Sequence, residues 1–236
     1  MTKIYGVMVM KNEEHRYLKE CLKWASSFLD EIFIFDDRST DNSVEIASEF
    51  ATVSIRPESS PSFLDNEALF RSEAWQSFED LASPSVKDWV LTFDADEFLY
   101  STSSLRDSLL GYSKLEFDSV KIDFLEVFRA QKDFLSVRID PYWDSISSPR
   151  FFRFQKNATW AKSSMGCGSE PLYARSNPLV QTDIKMLHFG YANKVDRLEK
   201  YDRYISKPGH SISHVKSILT EGKYENYPNV VGLYVD

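Results

Sequence analysis

Three short apolar runs in the first hundred residues each stop at a polar or acidic cluster. Ile4 to Met10 runs into Lys11, Asn12, Glu13 and Glu14. Glu31 to Phe35 runs into Asp36 and Asp37, and Trp89 to Phe93 into Asp94, Asp96 and Glu97. Unbroken apolar runs of this length suit strands buried on both faces. Between them the apolar spacing changes to three and four residues. Tyr17, Leu18, Cys21, Leu22, Ala25 and Leu29 predict one amphipathic helix. Val44, Ile46, Ala47 and Phe50 predict a second, with Asp41 or Thr40 as its N-cap. Residues 64–82 predict a third, with Ala68, Arg71, Trp75, Phe78 and Leu81 in spacing and Pro84 as its stop. With Ala51 to Ile55 as a further strand, this is the order of a parallel α/β sheet with right-handed crossovers. Ligands of such sheets sit at the carboxyl ends of the strands, so three polar loops are expected to converge on one rim.

Three carboxylates within four positions, Asp94, Asp96 and Glu97, repel one another unless a cation or proton compensates. Mg²⁺ and Mn²⁺ take oxygen ligands, often one or two carboxylates together with substrate phosphates. The stretch therefore reads either as a metal–diphosphate site at Asp94 and Asp96 or as a solvated acidic turn that ends a strand. The net charge of −8 argues against nucleic-acid binding, which needs a basic stripe. Cys21 and Cys167 make no disulfide framework and no zinc spacing, so two free thiols are expected. There is no basic-then-apolar leader pattern and no apolar run of bilayer length. The expectation is a protein without a transmembrane segment, located in the cytoplasm.

Beyond Ser104 to Tyr112, a short helix by its spacing, the alternation stops. Ser119 to Phe128 and Arg150 to Phe154 read as strands with no helix between them. Residues 141–149 form an aromatic, irregular loop, and 165–171 a turn-rich segment. Ile184 to Phe189 reads as a strand carrying His188. Asn193 to Ile205 reads as a helix with Val195, Leu198, Tyr201 and Tyr204 on its apolar side.

The residues that end these runs resemble family 2 glycosyltransferases, which have the GT-A fold. The likeness lies in Val9 to Glu14, Ile34 to Asp41, Arg71 ahead of Ala74 and Trp75, and Trp89 to Leu99 with its Asp-Ala-Asp. It continues more faintly through Pro149 to Phe154, Gly168 to Glu170 and Leu187 to Tyr191. Residues 112–148 and the tail are not covered. The resemblance implies an α/β fold: a GT-A, Rossmann-like, mostly parallel central sheet with helices on both faces, and a mixed α+β C-terminal acceptor part. It implies one domain over 1–236, with a nucleotide-sugar half at 1–100 and an acceptor half at 101–236. Asp37 matches the aspartate that recognises the base, usually uracil, with Asn12 and Glu13 lining the same pocket. Arg71 matches an arginine near the base and phosphates. Asp94, Ala95 and Asp96 match the Asp-X-Asp motif. Asp96 then ligates a divalent metal, Mn²⁺ or Mg²⁺, with His188 as a further ligand. Glu170 matches a carboxylate that serves as general base. Two positions depart from the pattern: Arg38 stands where glycine is common, and Ser169 where histidine usually precedes the glutamate.

The implied reaction is transfer of a sugar from a nucleotide-sugar, a UDP-sugar by analogy, to an unknown acceptor with inversion. A metal neutralises the diphosphate leaving group, and a carboxylate takes the acceptor proton. Two other readings stay open. One is a nucleotidyltransferase on a related sheet, against which stands the lack of a glycine-rich, lysine-bearing loop after the first strand. The other is a nucleotide-sugar-binding module without catalysis. Residue by residue, Asp36 and Asp37 read also as helix caps, Glu170 as a surface turn acid, and His188 as a core histidine between Leu187 and Phe189. Arg71 reads also as a partner of Glu67, Tyr142, Trp143 and Trp160 as core aromatics or sugar platforms, and Lys194 and Lys200 as helix decoration or diphosphate contacts.

Overall fold

A computed structural model describes residues 2–61, 66–141, 143, 146–161, 168–176, 179–205 and 211–233. Cys167 and Tyr142 lie outside the described residues. The first half follows the expected alternation. In order come β1 (Ile4–Met10), α1 (Leu18–Ala25), β2 (Glu31–Asp36), α2 (Ser43–Ser48), β3 (Thr52–Ile55), α3 (Glu67–Ala82) and β4 (Trp89–Thr92). Local chemistry sets the ends of α3. The Asn66 side chain accepts the Leu69 N–H, and Ser83 closes the helix in the left-handed region at φ 48° just before Pro84. At α2 the cap is Asn42 by backbone position, but it is the Asp41 carboxylate that accepts the Ser43 N–H at 3.0 Å.

β5 (Glu97–Tyr100) begins directly after the acidic turn. Then follow α4 (Leu105–Ser113), β6 (Ser119–Ala130), β7 (Phe134–Arg138), β8 (Ser147–Arg153), α5 (Leu172–Ser176), β9 (Leu179–His188), α6 (Lys194–Ile205), α7 (Ile212–Ser217) and β10 (Tyr224–Pro228). The ten strands among the described residues join one sheet, with the path β10-β7-β6-β8-β4-β1-β2-β3 and with β9 pairing β5 and β6. The β4-β1-β2-β3 core is parallel. Antiparallel pairs enter at β8 against β4 and β6, and at β5 against β9.

Side chains alternate across the sheet as strand geometry requires. Ile4, Met8, Ile32 and Ile34 enter the core that α1 covers. Tyr5, Val7, Phe33 and Val90 enter the core under α3, where Trp75 stacks on Phe154 at 5.6 Å. Helices therefore cover both faces, as the mixed α/β reading requires. Trp143 and Trp160 are buried, so both are core aromatics. No helix among the described residues is long and apolar enough to cross a membrane.

Candidate active site

β1, β2 and β4 are parallel neighbours that end together, so their loops meet. They border a cavity of about 970 Å³ whose other walls are the start of β8, the 168–170 turn, the end of β9 and α6. Glu13, Asp37, Arg71, Asp94, Ala95, Asp96, Glu170 and His188 all line it. Asn12 does not: it is exposed, with φ 53°. Its Oδ1 accepts the Thr40 N–H and its own N–H donates to Ser39 Oγ, both at 2.8 Å. Its observed contacts tie the first loop to the second.

The Asp-Asp pair divides its work. Asp36 is fully buried and accepts the Ser39 N–H at 2.8 Å, which closes the turn. Asp37 faces the cavity, with Arg56 Nη1 and Arg38 Nη2 at 3.3 Å and Lys11 Nζ at 3.4 Å. Burial alone would raise the Asp37 pKa; the hydrogen bonds and charges of Arg56 and Lys11 outweigh it and hold the carboxyl below its ordinary value. Arg56 is itself buried, bonded to Glu73 at 2.7 Å and lying over the Phe70 ring at 4.7 Å. At Arg38 the backbone takes φ 60°. The arginine therefore adopts the left-handed conformation that suits glycine, and its guanidinium donates to the carbonyls of Glu58 and Ser60. Arg71 pairs with Glu67 at 2.9 Å, and both line the cavity.

The acidic turn resolves into three roles. Asp94 lines the cavity. Asp96 points at His188, Oδ2 to Nε2 at 3.5 Å. Glu97, read from sequence as a third rim acid, borders the cavity as well and opens β5. It is buried in an ion pair with Arg150 Nη2 at 2.7 Å, and its other oxygen accepts the Asp94 N–H at 2.9 Å. His188 donates from Nδ1 to Glu126 Oε2 at 2.5 Å, which leaves Nε2 turned toward Asp96. Burial and the nearby Lys200 ammonium lower the His188 pKa, but the Glu126 carboxylate and then Asp96 push it up on balance. Burial likewise raises Asp96, and His188, Lys200 and Arg16 overcome that and hold it well below the usual carboxylate range.

Asp96 and His188 fit a divalent ion. One offers a carboxylate oxygen, the other an imidazole nitrogen whose second nitrogen a carboxylate anchors. Among the described residues no ready-made group of three carboxylates, thiols or imidazoles is present; further ligands would come from phosphates or water. Lys200 Nζ stands 3.3 Å from His188 Nε2 and 3.9 Å from Asp96 Oδ2.

Glu170 is buried on the cavity wall, not on a surface turn. Arg175 donates to its Oε1 from Nε at 2.8 Å and Nη2 at 2.7 Å. Oε2 has no partner among the described residues. Ser169, which stands where relatives usually carry histidine, is buried, and its carbonyl accepts the Trp160 Nε1–H at 3.4 Å. Sequence reasoning missed Glu126, Arg56, Arg150 and Arg175. Glu126 had a signal, a carboxylate amid the apolar positions of β6; the arginines are set by tertiary pairing and had none.

These features follow the order that the loop motifs led one to expect, and a sequence model of glycosyl transferase family 2 matches residues 7–176. The chain belongs to that family. Among solved structures, this family 2 chain is similar to glucosyl-3-phosphoglycerate synthase of Mycobacterium tuberculosis in complex with Mn²⁺, UDP and glucosyl-3-phosphoglycerate. The identity is 21% and the TM-score 0.35, over 53% of this chain and 44% of that one. The same synthase with Mg²⁺ and UDP matches at 20% identity and TM-score 0.35, over 53% and 44%. A 4-diphosphocytidyl-2C-methyl-D-erythritol synthase matches at 10% identity and TM-score 0.41, over 65% of this chain and 76% of that one. The chain thus spans less than half the length of the first of these relatives. No curated protein matches it.

Proposed function

We propose that this chain transfers a sugar from a nucleoside-diphosphate-sugar, UDP by family analogy, to an acceptor hydroxyl with inversion and with a divalent ion, Mn²⁺ or Mg²⁺. The observation that carries the reading is that one cavity holds Asp37, the Asp94–Asp96 turn with His188, and Glu170. Asp37, fixed by Arg56 and Lys11, accepts the N–H of the base, with Glu13 and Arg71 on the adjoining wall. Asp96 and His188 hold the ion, which supplies the charge that a diphosphate leaving group needs. Glu170 takes the acceptor proton on Oε2, while Arg175 occupies Oε1 and fixes the carboxylate's orientation. The chain is read as one domain, with a donor half at 1–100 and an acceptor half at 101–236.

The test is a thermal-shift titration with UDP and UDP-sugars, with and without Mn²⁺, paired with an assay of UDP release. A ligand that binds only the folded state raises apparent stability by mass action. Metal-dependent stabilisation by UDP is expected, and Asp96→Ala should remove it along with turnover. Wild-type turnover by Asp96→Ala would refute the assignment. Release of pyrophosphate from UTP and a sugar phosphate would instead establish the nucleotidyltransferase reading.

A further inference from the structure

We propose that Lys200 is a resident cation beside the Asp96–His188 pair: its ammonium balances the Asp96 carboxylate in the ion-free protein, competes with a divalent ion for that place, and withdraws to the donor's diphosphate when the ion binds. The proposal rests on the metal reading above and adds to it a residue which that reading does not use.

A buried ammonium is costly unless it is paired. Lys200 is buried on α6, and its nitrogen faces His188 Nε2 at 3.3 Å, Asp96 Oδ2 at 3.9 Å and the Tyr191 ring at 4.3 Å. The first two are the atoms assigned to the ion. Two donors 3.5 Å apart leave one place for a cation between them, and the ammonium already lies against it. Gly190 keeps that place open. A Cβ there would stand 1.9 Å from Lys200 Nζ, 2.6 Å from His188 Nε2 and 2.7 Å from Asp96 Oδ2, so a side chain at this position would crowd the place a cation takes. The ammonium and a divalent ion repel each other at this range, so they are alternative occupants. The lysine has four rotatable carbons and lines the same cavity that would receive the diphosphate, which gives the displaced ammonium an anionic partner. Ion binding and diphosphate binding then favour each other, and by linkage the coupling is reciprocal.

The experiment is a Mn²⁺ titration followed by electron paramagnetic resonance, without and with UDP. It compares the wild type, Lys200→Met and Lys200→Gln, with thermal unfolding as the control for folding; Lys200→Gln serves if the methionine variant does not fold. Without UDP, both neutral variants are expected to bind Mn²⁺ at least about tenfold more tightly than the wild type. UDP should improve Mn²⁺ binding by the wild type more than by the variants. Lys200→Arg keeps the charge and should stay as weak as the wild type. Equal Mn²⁺ affinity of the wild type and both neutral variants without UDP would overturn the competition while leaving the metal site standing. No Mn²⁺ binding by any form, with or without UDP, would overturn the proposal together with the metal reading beneath it.

Discussion

Glu13 shows how single side chains carry the tension of an acidic cavity. Its Oε2 is buried without a partner among the described residues, and Arg16 Nη1 lies only at 3.8 Å from it. Burial, with Asp96 and Asp94 adding to it against Arg16, pushes its pKa up from 4.5 to about 7. A carboxyl raised in the folded state binds more protons folded than unfolded. Its contribution to stability is therefore complete below the unfolded value and is lost as pH rises through the folded one. Glu13→Gln should make the protein more stable by roughly 2 kcal/mol at pH 8, a figure discounted for partial solvent access. It should also flatten stability between about pH 5 and 7. Urea denaturation across that range checks both, and an unchanged slope refutes the burial account. Glu170 carries a different kind of prediction. Glu170→Gln keeps the shape and the Arg175 contact to an oxygen but cannot take a proton. It should lower kcat by about 10²–10⁴-fold while UDP and Mn²⁺ still raise the melting temperature as they do for wild type. A small loss in kcat would return Glu170 to a structural role.

At the scale of elements, β1, α1, β2, α2, β3, α3 and β4 were legible because each uses one periodicity without interruption. What failed did so for physical reasons. Trp89 to Leu99 read as one strand and its acidic end, but two strands, β4 and β5, flank the turn. Glu97 stays on the cavity wall but is neutralised there by Arg150 on β8, 53 residues away in sequence, a pairing that sequence does not show. The expected apolar side of α6 holds only in part: Tyr201 and Tyr204 pack against the cluster of Phe128, Trp143 and Tyr191. Val195 is 64% and Leu198 42% exposed, whereas Asp196 and Lys200 are buried. A helix that also walls a polar cavity buries part of its polar face, so the amphipathic rule describes only some of its positions. β7 and β10 form an antiparallel pair at the end of the sheet, in segments too short and mixed to announce themselves. The β5–β8 link gives a stability prediction. Arg150→Met strands the Glu97 carboxylate and should cost about 3 kcal/mol or more. Adding Glu97→Gln should restore part of that, because both charges are then gone. Chemical denaturation of the single and double variants measures it, and equal losses would mean that the pair is not coupled.

For the molecule as a whole, the two halves proposed for donor and acceptor fold around shared strands and a shared core. β4 gives one edge to β1 and the other to β8, with Val90 opposite Phe152 and Leu91 opposite Phe151. Trp89 stacks on Phe151 at 4.7 Å. One apolar core takes Met8, Leu22 and Ile34 from the first half and Ile122, Phe151 and Met186 from the second. Arg16, just after the first loop, pairs with Asp196 on α6 at 3.0 Å, so the cavity's two walls are also joined by charge. A chain cut after residue 100 would leave β4 with an unpaired edge and that core open to water, a condition that favours aggregation. The intact protein should therefore unfold in one calorimetric transition whose van't Hoff and calorimetric enthalpies agree. The 1–100 fragment should give neither native near-ultraviolet dichroism nor a cooperative melt. Two separable transitions, or a fragment that folds and binds UDP alone, would show that the donor half is an independent domain.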